Sequence, residues 1–373
     1  MLDRMSVNPE RLGLNSKRLQ IALDLMDAWA RSGEVPASAI CLGRRAGITE
    51  GWFAGRRSSD PDSPAIRRDA LFLIASLTKP ATAVAVMMLV ERGLLTLDDF
   101  VCEHIPEFSQ NGKESVRVRH LLTHTSGLPD QLPNNADLRA LHAPIERFVE
   151  ETCRQPLLFA AGSAVRYQSS GFAILGELVL RLTRSPLPDF LRDDVFTPLG
   201  MAATSLGWNP LRRDRQTLVR LEPADVETDW HWNTSYWLSF GAPWGGLISS
   251  PSDYARFLQM MLNGGSLGDV RILSPASVRA MRMNQLDAML DISEEDRNLR
   301  PWGLGWQLER PGASPHFGDL LGPRTFGHWG ATGAVAWADP DLDAIAVILT
   351  TRPQGDGGRY LARLSNVLAS SFV

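Results

Sequence analysis

Lysine, tyrosine and cysteine are scarce: 373 residues hold three lysines, four tyrosines and three cysteines. Cys41, Cys102 and Cys153 are odd in number, far apart and without a CxxC pair, which excludes a disulfide framework and a thiolate zinc site. Reduced, buried thiols are the reading left. The first twenty residues carry charges throughout and no apolar core, so no secretory signal is read and a cytoplasmic location is expected. The most apolar window, Leu71 to Val90, contains Ser76, Thr78, Lys79 and Pro80, so a buried helix is expected there and no membrane span. A net charge of -4 gives no electrostatic footprint for nucleic acid. Collagen-like glycine periodicity and low-complexity tracts are absent, and 44% hydrophobic residues exclude a disordered chain.

What is present is enough apolar material for a large core, at a length that implies two subdomains. Residues 15–30 repeat apolar side chains at helical spacing behind a candidate Asn15 cap. Val35 to Gly43 and Glu50 to Gly55 read as strands separated by a turn at RRAG. Between Ser76 and Arg184 helical stretches dominate, at 82–93, 119–124, 145–152 and 171–182. Later, 252–263 reads as helix, 333–338 and 344–350 as strands, and 359–370 as a closing helix. This pattern predicts an α/β fold: an antiparallel sheet built from both chain ends and flanked by helices, with an inserted all-helical region. The expected boundaries are residues 1–78 with 240–373 for the α/β part and 79–239 for the helical part.

With only Lys17, Lys79 and Lys113 against 35 arginines, positive charge here is an arginine property. Lys79 lies inside the most apolar window, where a desolvated lysine can lose its proton and act as a base; a snorkelling helix-end lysine is the plainer alternative. Ser76 precedes it by three residues, the spacing of one helix face. Pro80 is cheap only in a first helical turn, so the helix is expected to begin near Ser76, with the hydroxyl at the positive end of its dipole. Serine and lysine so placed form a candidate activated nucleophile. The spacing alone is weak, because this composition yields about 0.2 such pairs by chance.

Several stretches together carry more. Ser76-Leu-Thr-Lys79 reads as SxxK, and it is followed by His120-Leu-Leu-Thr-His-Thr-Ser-Gly-Leu-Pro129. Further on come Arg166-Tyr167-Gln-Ser169 with the run to Glu177, Gly245-Gly246 with the run to Phe257, and Gly327-His328-Trp329-Gly330-Ala331-Thr-Gly333. In order and content they resemble the serine hydrolases of the class C β-lactamase and DD-peptidase type, including the related family VIII carboxylesterases, over most of the chain. The resemblance implies that Ser76 attacks a carbonyl and forms an acyl-enzyme, with Lys79 and Tyr167 sharing the base work and Tyr167 favoured as phenolate beside the ammonium. It implies that His328 lines the site, that the backbone NH groups of Ser76 and Ala331 form an oxyanion hole, and that Gly330 lets its strand approach substrate. Taken alone, Tyr167 could equally be a hydrogen-bonded core tyrosine, and His328 a strand-end histidine.

Two positions depart from the family pattern. Ser169 stands where β-lactamases and DD-peptidases have asparagine, and Trp329 replaces a small hydroxyl residue. Both changes, with the missing export signal, point toward ester hydrolysis and away from efficient β-lactam turnover. The aromatics Trp230, Trp232, Tyr236, Trp237, Phe240 and Trp244 either pack a core or rim an apolar substrate pocket, for which Trp237 and Trp244 are the candidates. The expected partner is a small-molecule ester or lactam, with no cofactor, no metal, no nucleic acid and no membrane; the oligomeric state is not legible. A β-lactamase, a D-amino-acid peptidase, an acyltransferase or a silent binding protein of the same fold are the alternatives. Gly264-Gly-Ser266-Leu-Gly268 also satisfies GxSxG, but its flanks run from helix to extended chain, the reverse of a nucleophile elbow, and predict a turn. His120 and His124 have helical metal-ligand spacing without a third ligand, and are read as structural.

Overall fold

The computed structural model describes residues 7–207, 210–310, 316–355 and 357–373. Seven strands form the main sheet: β1 (Ala37–Arg44), β2 (Gly47–Ile48), β3 (Trp52–Gly55), β4 (Gln307–Leu308), β5 (Phe326–Gly330), β6 (Ala334–Asp339) and β7 (Ala344–Thr350). Their order is β2-β1-β7-β6-β5-β4, with β3 also on β1, and every pairing is antiparallel. The seam between the chain ends is β1 on β7, in register from Ser38 opposite Thr350 to Gly43 opposite Ile345. The sheet assembled from both termini is therefore as expected.

Both faces of this sheet are covered, which is why β7 reads AIAVILT with no polar alternation. One set of alternating side chains, Ile40, Leu42, Ala346, Ile348 and Trp337, packs with helices α1 (Ser16–Ser32) and α5 (Arg359–Ser371). The opposite set, Ala39, Cys41, Ile345, Val347 and Leu349, packs with α2 (Thr78–Glu91), α3 (Ser170–Thr183) and α4 (Pro251–Leu262) in the larger core. Asn15 caps α1 as expected, its side chain accepting from the Arg18 amide at 3.1 Å. A cap contributes about 1 kcal/mol. Burial of Leu19, Met26 and Trp29 on one face contributes roughly 1.5–3 kcal/mol for each side chain, so packing and not the cap fixes this helix.

Helix α2 has no polar face: every residue from Thr78 to Leu89 is buried. It enters from a small sheet that short-range periodicity could not reveal, in which Phe72–Leu73 pairs with Leu247–Ser249, itself paired with Ser205–Leu206. The helical stretches expected between Ser76 and Arg184 are present as α2, Val118–Leu122, Ile145–Arg154 and α3. Ser266–Leu267 and Val270–Arg271 form a hairpin, so the GxSxG segment is a turn and not an elbow. Among the described residues no helix is long and apolar enough to cross a membrane.

Candidate active site

Ser76 lies in the turn between Phe72–Leu73 and α2, and α2 starts two residues later than the sequence suggests, at Thr78. From Leu71 to Pro80 it is the one residue that is not buried. The turn is fastened from three directions. Thr78 Oγ1 donates to the Ala75 carbonyl at 2.7 Å and accepts from the Leu247 amide at 2.9 Å. Thr332 Oγ1 donates to the Leu73 carbonyl at 2.7 Å, and the Tyr254 hydroxyl, from α4, to the Leu77 carbonyl at 2.8 Å. Such anchoring holds Ala75 at φ +46°, a left-handed conformation that costs an alanine on the order of 1 kcal/mol or more.

One helical turn on, the fully buried Lys79 amine sits 3.1 Å from Ser76 Oγ, 3.1 Å from the Trp244 carbonyl and 3.3 Å from Ser169 Oγ. Burial lowers its pKa to about 7, partly offset by the negative charge of Asp130. Loss of its proton is therefore within reach near neutral pH.

Tyr167 does not meet the phenolate expectation. Lys79 Nζ lies 4.6 Å over the face of its ring, not against its oxygen. The hydroxyl is buried and makes no well-formed hydrogen bond, and burial drives its pKa up despite the nearby Ser76 hydroxyl, which opposes the shift. The phenol stays protonated.

An aromatic box surrounds it. Ring centroids lie 4.6 Å away for His124, 5.3 Å for the stacked Trp329, 5.9 Å for Trp302 and 6.1 Å for His328. His328 and Trp329 are neighbours on β5 and would ordinarily face opposite ways. Here both rings reach Tyr167, and β4 pairs only with Phe326 and Gly327, which leaves the second half of β5 an open edge on that side. His328 is buried, its Nδ1 2.9 Å from the Trp329 amide and its Nε2 without a partner among the described residues. Burial, then the Lys79 charge, lowers its pKa to about 3, so it is a neutral imidazole.

Gly330 brings the β5 edge against the nucleophile turn: a Cβ there would lie 2.3 Å from the Ile74 carbonyl oxygen. Ala331 follows at the end of that edge, and no hydrogen bond is formed from its amide or that of Ser76 to the described residues. Opposite, a small pocket is lined by Asp130, Leu132, Asn135, Phe148, Ser169 and Trp244. Trp244 thus borders the site. Trp237 does not line that pocket; it packs with Leu71, Leu73 and Ile248 in a separate cluster.

Three residues around this centre had no assigned role in the sequence reading. His124, read as structural, packs against Tyr167 in a tilted ring contact and accepts the Gln168 amide on Nδ1 at 3.1 Å, while its own carbonyl accepts the Arg166 amide at 2.9 Å. It therefore clamps the chain on both sides of Tyr167. Asp130 follows directly on the HLLTHTSGLP segment, which was its available signal; Trp302 carried none. His120 caps its own short helix through Nδ1, accepting from the Arg117 amide. Among the described residues the grouping of Asp99, Glu103 and His104 brings three ligand-type atoms within 4.8 Å, but Asp99 is already bonded by His104 and Thr96.

Comparison with known proteins bears on the fold and the family. A protein of Escherichia coli O157:H7, provisionally named D-alanyl-D-alanine carboxypeptidase, is 29% identical over 93% of this chain and 85% of its own length. A penicillin-binding protein homologue from Caulobacter crescentus superposes with a TM-score of 0.79 at 22% identity, covering 96% of this chain and 99% of its own. A family VIII carboxylesterase superposes at 0.76 and 21% identity over 95% and 98%. The profile of the β-lactamase family matches residues 24–369, and the chain belongs to that family of serine hydrolases.

Proposed function

We propose that the protein hydrolyses carboxylic esters through an acyl-enzyme on Ser76. The observation that carries the reading is a buried amine, its pKa pulled down by desolvation, 3.1 Å from the one accessible residue of the stretch 71–80. Neutral Lys79 takes the Ser76 proton as Oγ bonds to the substrate carbonyl carbon. The amides of Ser76 and Ala331 receive the developing oxyanion, worth about 3 kcal/mol for each donor. Collapse of the tetrahedral species breaks the bond to the leaving oxygen, which takes a proton from Lys79 or from the protonated Tyr167. Water then attacks the acyl-serine by the same route in reverse. Neutral His328 and Trp329 hold the Tyr167 ring in place.

Esters are favoured over amides by two features. Ser169 offers a short hydroxyl, already engaged by Lys79, where an amide-binding side chain would need reach. Trp329 covers the β5 edge with apolar surface. Hydrolysis of D-amino-acid peptides is the second reading, favoured by the name of the Escherichia coli relative. Rates on p-nitrophenyl butyrate, a chromogenic cephalosporin and a D-alanyl-D-alanine peptide, for the wild type and Ser76→Ala, test both. Ester turnover that dominates and vanishes in the variant is expected. Ester turnover unchanged in Ser76→Ala would overturn the proposal, and peptide turnover in excess of ester would install the second reading.

A further inference from the structure

Beyond the catalytic box, one side chain is packed as a binding group without a partner to bind. Arg139 lies on the short helix Asn135–Ala140, its guanidinium carbon 4.3 Å from the ring centroid of Trp237 and 5.9 Å from that of Trp230. Other arginines of this protein form ion pairs, as Arg119 does with Asp98 and Arg181 with Glu107. Arg139 forms no ion pair among the described residues, and its buried Nε has no acceptor. The indole Nε1 of Trp237 is a second buried donor with no acceptor. Burial lowers the Arg139 pKa to about 10, opposed by Tyr236 and Asp225, so the guanidinium stays charged at neutral pH while Asp225 makes no ion pair with it. Leaving one buried donor unpaired costs about 1–3 kcal/mol. A guanidinium over the Trp237 indole, with each of the two residues carrying a buried donor that has no acceptor, makes a receptor for an anion with two acceptor oxygens.

Placement ties this receptor to the catalytic pocket. Asn135, which lines the pocket beside Ser169, precedes Arg139 by one helical turn and shares its face. A ladder of rings runs the same way: Trp237 to Phe240 at 5.8 Å, and Phe240 to Trp244 at 5.8 Å, where the Trp244 carbonyl receives the Lys79 amine. We infer that Arg139 and Trp237 bind a carboxylate carried at the end of the substrate's chain, so that the preferred substrates are esters of acid-terminated chains. This rests on the acyl-serine reading of the site. Asp130, on the wall of the pocket, repels an anion held close to Ser76 and so favours a chain long enough to carry its charge past it.

The test uses p-nitrophenyl monoesters of succinate, glutarate, adipate and suberate against p-nitrophenyl butyrate, for the wild type and Arg139→Gln. Expected are a preference for one of the longer acid-terminated chains and a fall of at least tenfold in the acid-to-neutral ratio of kcat/KM in the variant. An unchanged ratio overturns the inference while Ser76-dependent butyrate turnover leaves the proposed function standing. A second arm is independent of turnover: calorimetric titration of Ser76→Ala protein, with and without Arg139→Gln, using the monomethyl esters of the same diacids. Binding weakened at least tenfold by the arginine change supports the site; equal affinity, or no binding in either protein, removes it. Arg139→Met, which keeps the stem and removes the charge, replaces the glutamine variant should that one not fold.

Discussion

The amine of Lys79 stands 3.1 Å from the Ser76 hydroxyl and 4.6 Å above the ring of Tyr167, while Asp130 acts on it only through its field. Burial therefore sets the ionisation of the nucleophile's partner, and Asp130 tunes it. With Lys79 at about 7, kcat/KM for an ester should climb with pH through a single ionisation near 7 and level off above it. Asp130 raises the Lys79 pKa, so Asp130→Asn removes that support and should move the limb to lower pH, with more activity retained at pH 6 than in the wild type. A pH–rate profile checks the direction; a limb that moves upward, or stays, shows that another group governs it.

The same burial has a cost in stability. In the unfolded chain a lysine holds its proton up to about 10.4, whereas in the folded protein Lys79 loses it near 7. Below pH 7 the amine is charged in both states and the whole desolvation penalty is felt. Between 7 and about 10 the unfolded chain holds more protons, so this group's contribution to stability improves as pH rises. Lys79→Met, which fills the space without a charge, should therefore raise the unfolding free energy, on the order of 3–5 kcal/mol at pH 6, with the gain shrinking toward pH 10. Urea denaturation at the two pH values measures this, and activity in that variant should be lost.

How the sequence conveyed these residues explains what it left out. A lone lysine in an apolar window is legible, because burial of a charge is anomalous wherever it occurs, and the helices and long strands announce themselves by period. Strands of two or three residues, such as Phe72–Leu73 and Leu247–Ser249, have no period to read, yet they fix the turn that presents Ser76. The protonated state of Tyr167 was misread for a different reason. Proximity of Lys79 is encoded in motif spacing, but whether the amine meets the oxygen or the ring face is decided by packing against Trp302 and Trp329, which lie more than 130 residues away in the chain. Trp237 and Trp244 were equal candidates in one aromatic run, and only the fold separates the second, beside Lys79, from the first, beside Arg139.

His124 should behave as a positioning residue. Its imidazole, held neutral by burial, supplies a ring under Tyr167 and an acceptor for the Gln168 amide. His124→Phe keeps the ring and removes the acceptor, leaving a buried amide unpaired at a cost of about 1–3 kcal/mol. Slackening the segment that carries Tyr167 should lower kcat roughly 10- to 100-fold with little change in KM. The pH limb should stay in place, because neutral His124 does not titrate in that range. A variant with full kcat, or with a displaced limb, contradicts this role.

Gly330 gives the most direct control over the geometry. Its missing side chain is what lets the open edge of β5 lie against the Ile74 carbonyl, the approach on which the proposed pairing of the Ala331 and Ser76 amides rests. In Gly330→Ala the new Cβ would sit 2.3 Å from that oxygen, against the 3.0 Å that real contacts respect, so strand and turn must part by roughly 0.7 Å or more. Gln354 Nε2 donates to the Gly330 carbonyl at 3.0 Å and resists movement of the strand. Thr332 and Thr78 brace the turn from its other sides. The strain falls on the space where the oxyanion would form, and displacement on that scale costs about 100-fold in rate. Because both donors are affected, kcat on the ester should fall by about that factor while the pH limb, set by Lys79, remains near 7. Thermal unfolding monitored alongside should show a decrease of several degrees, as expected for overpacking worth about 1–3 kcal/mol. If Gly330→Ala retained wild-type kcat, the approach of β5 to Ser76 would have no part in catalysis.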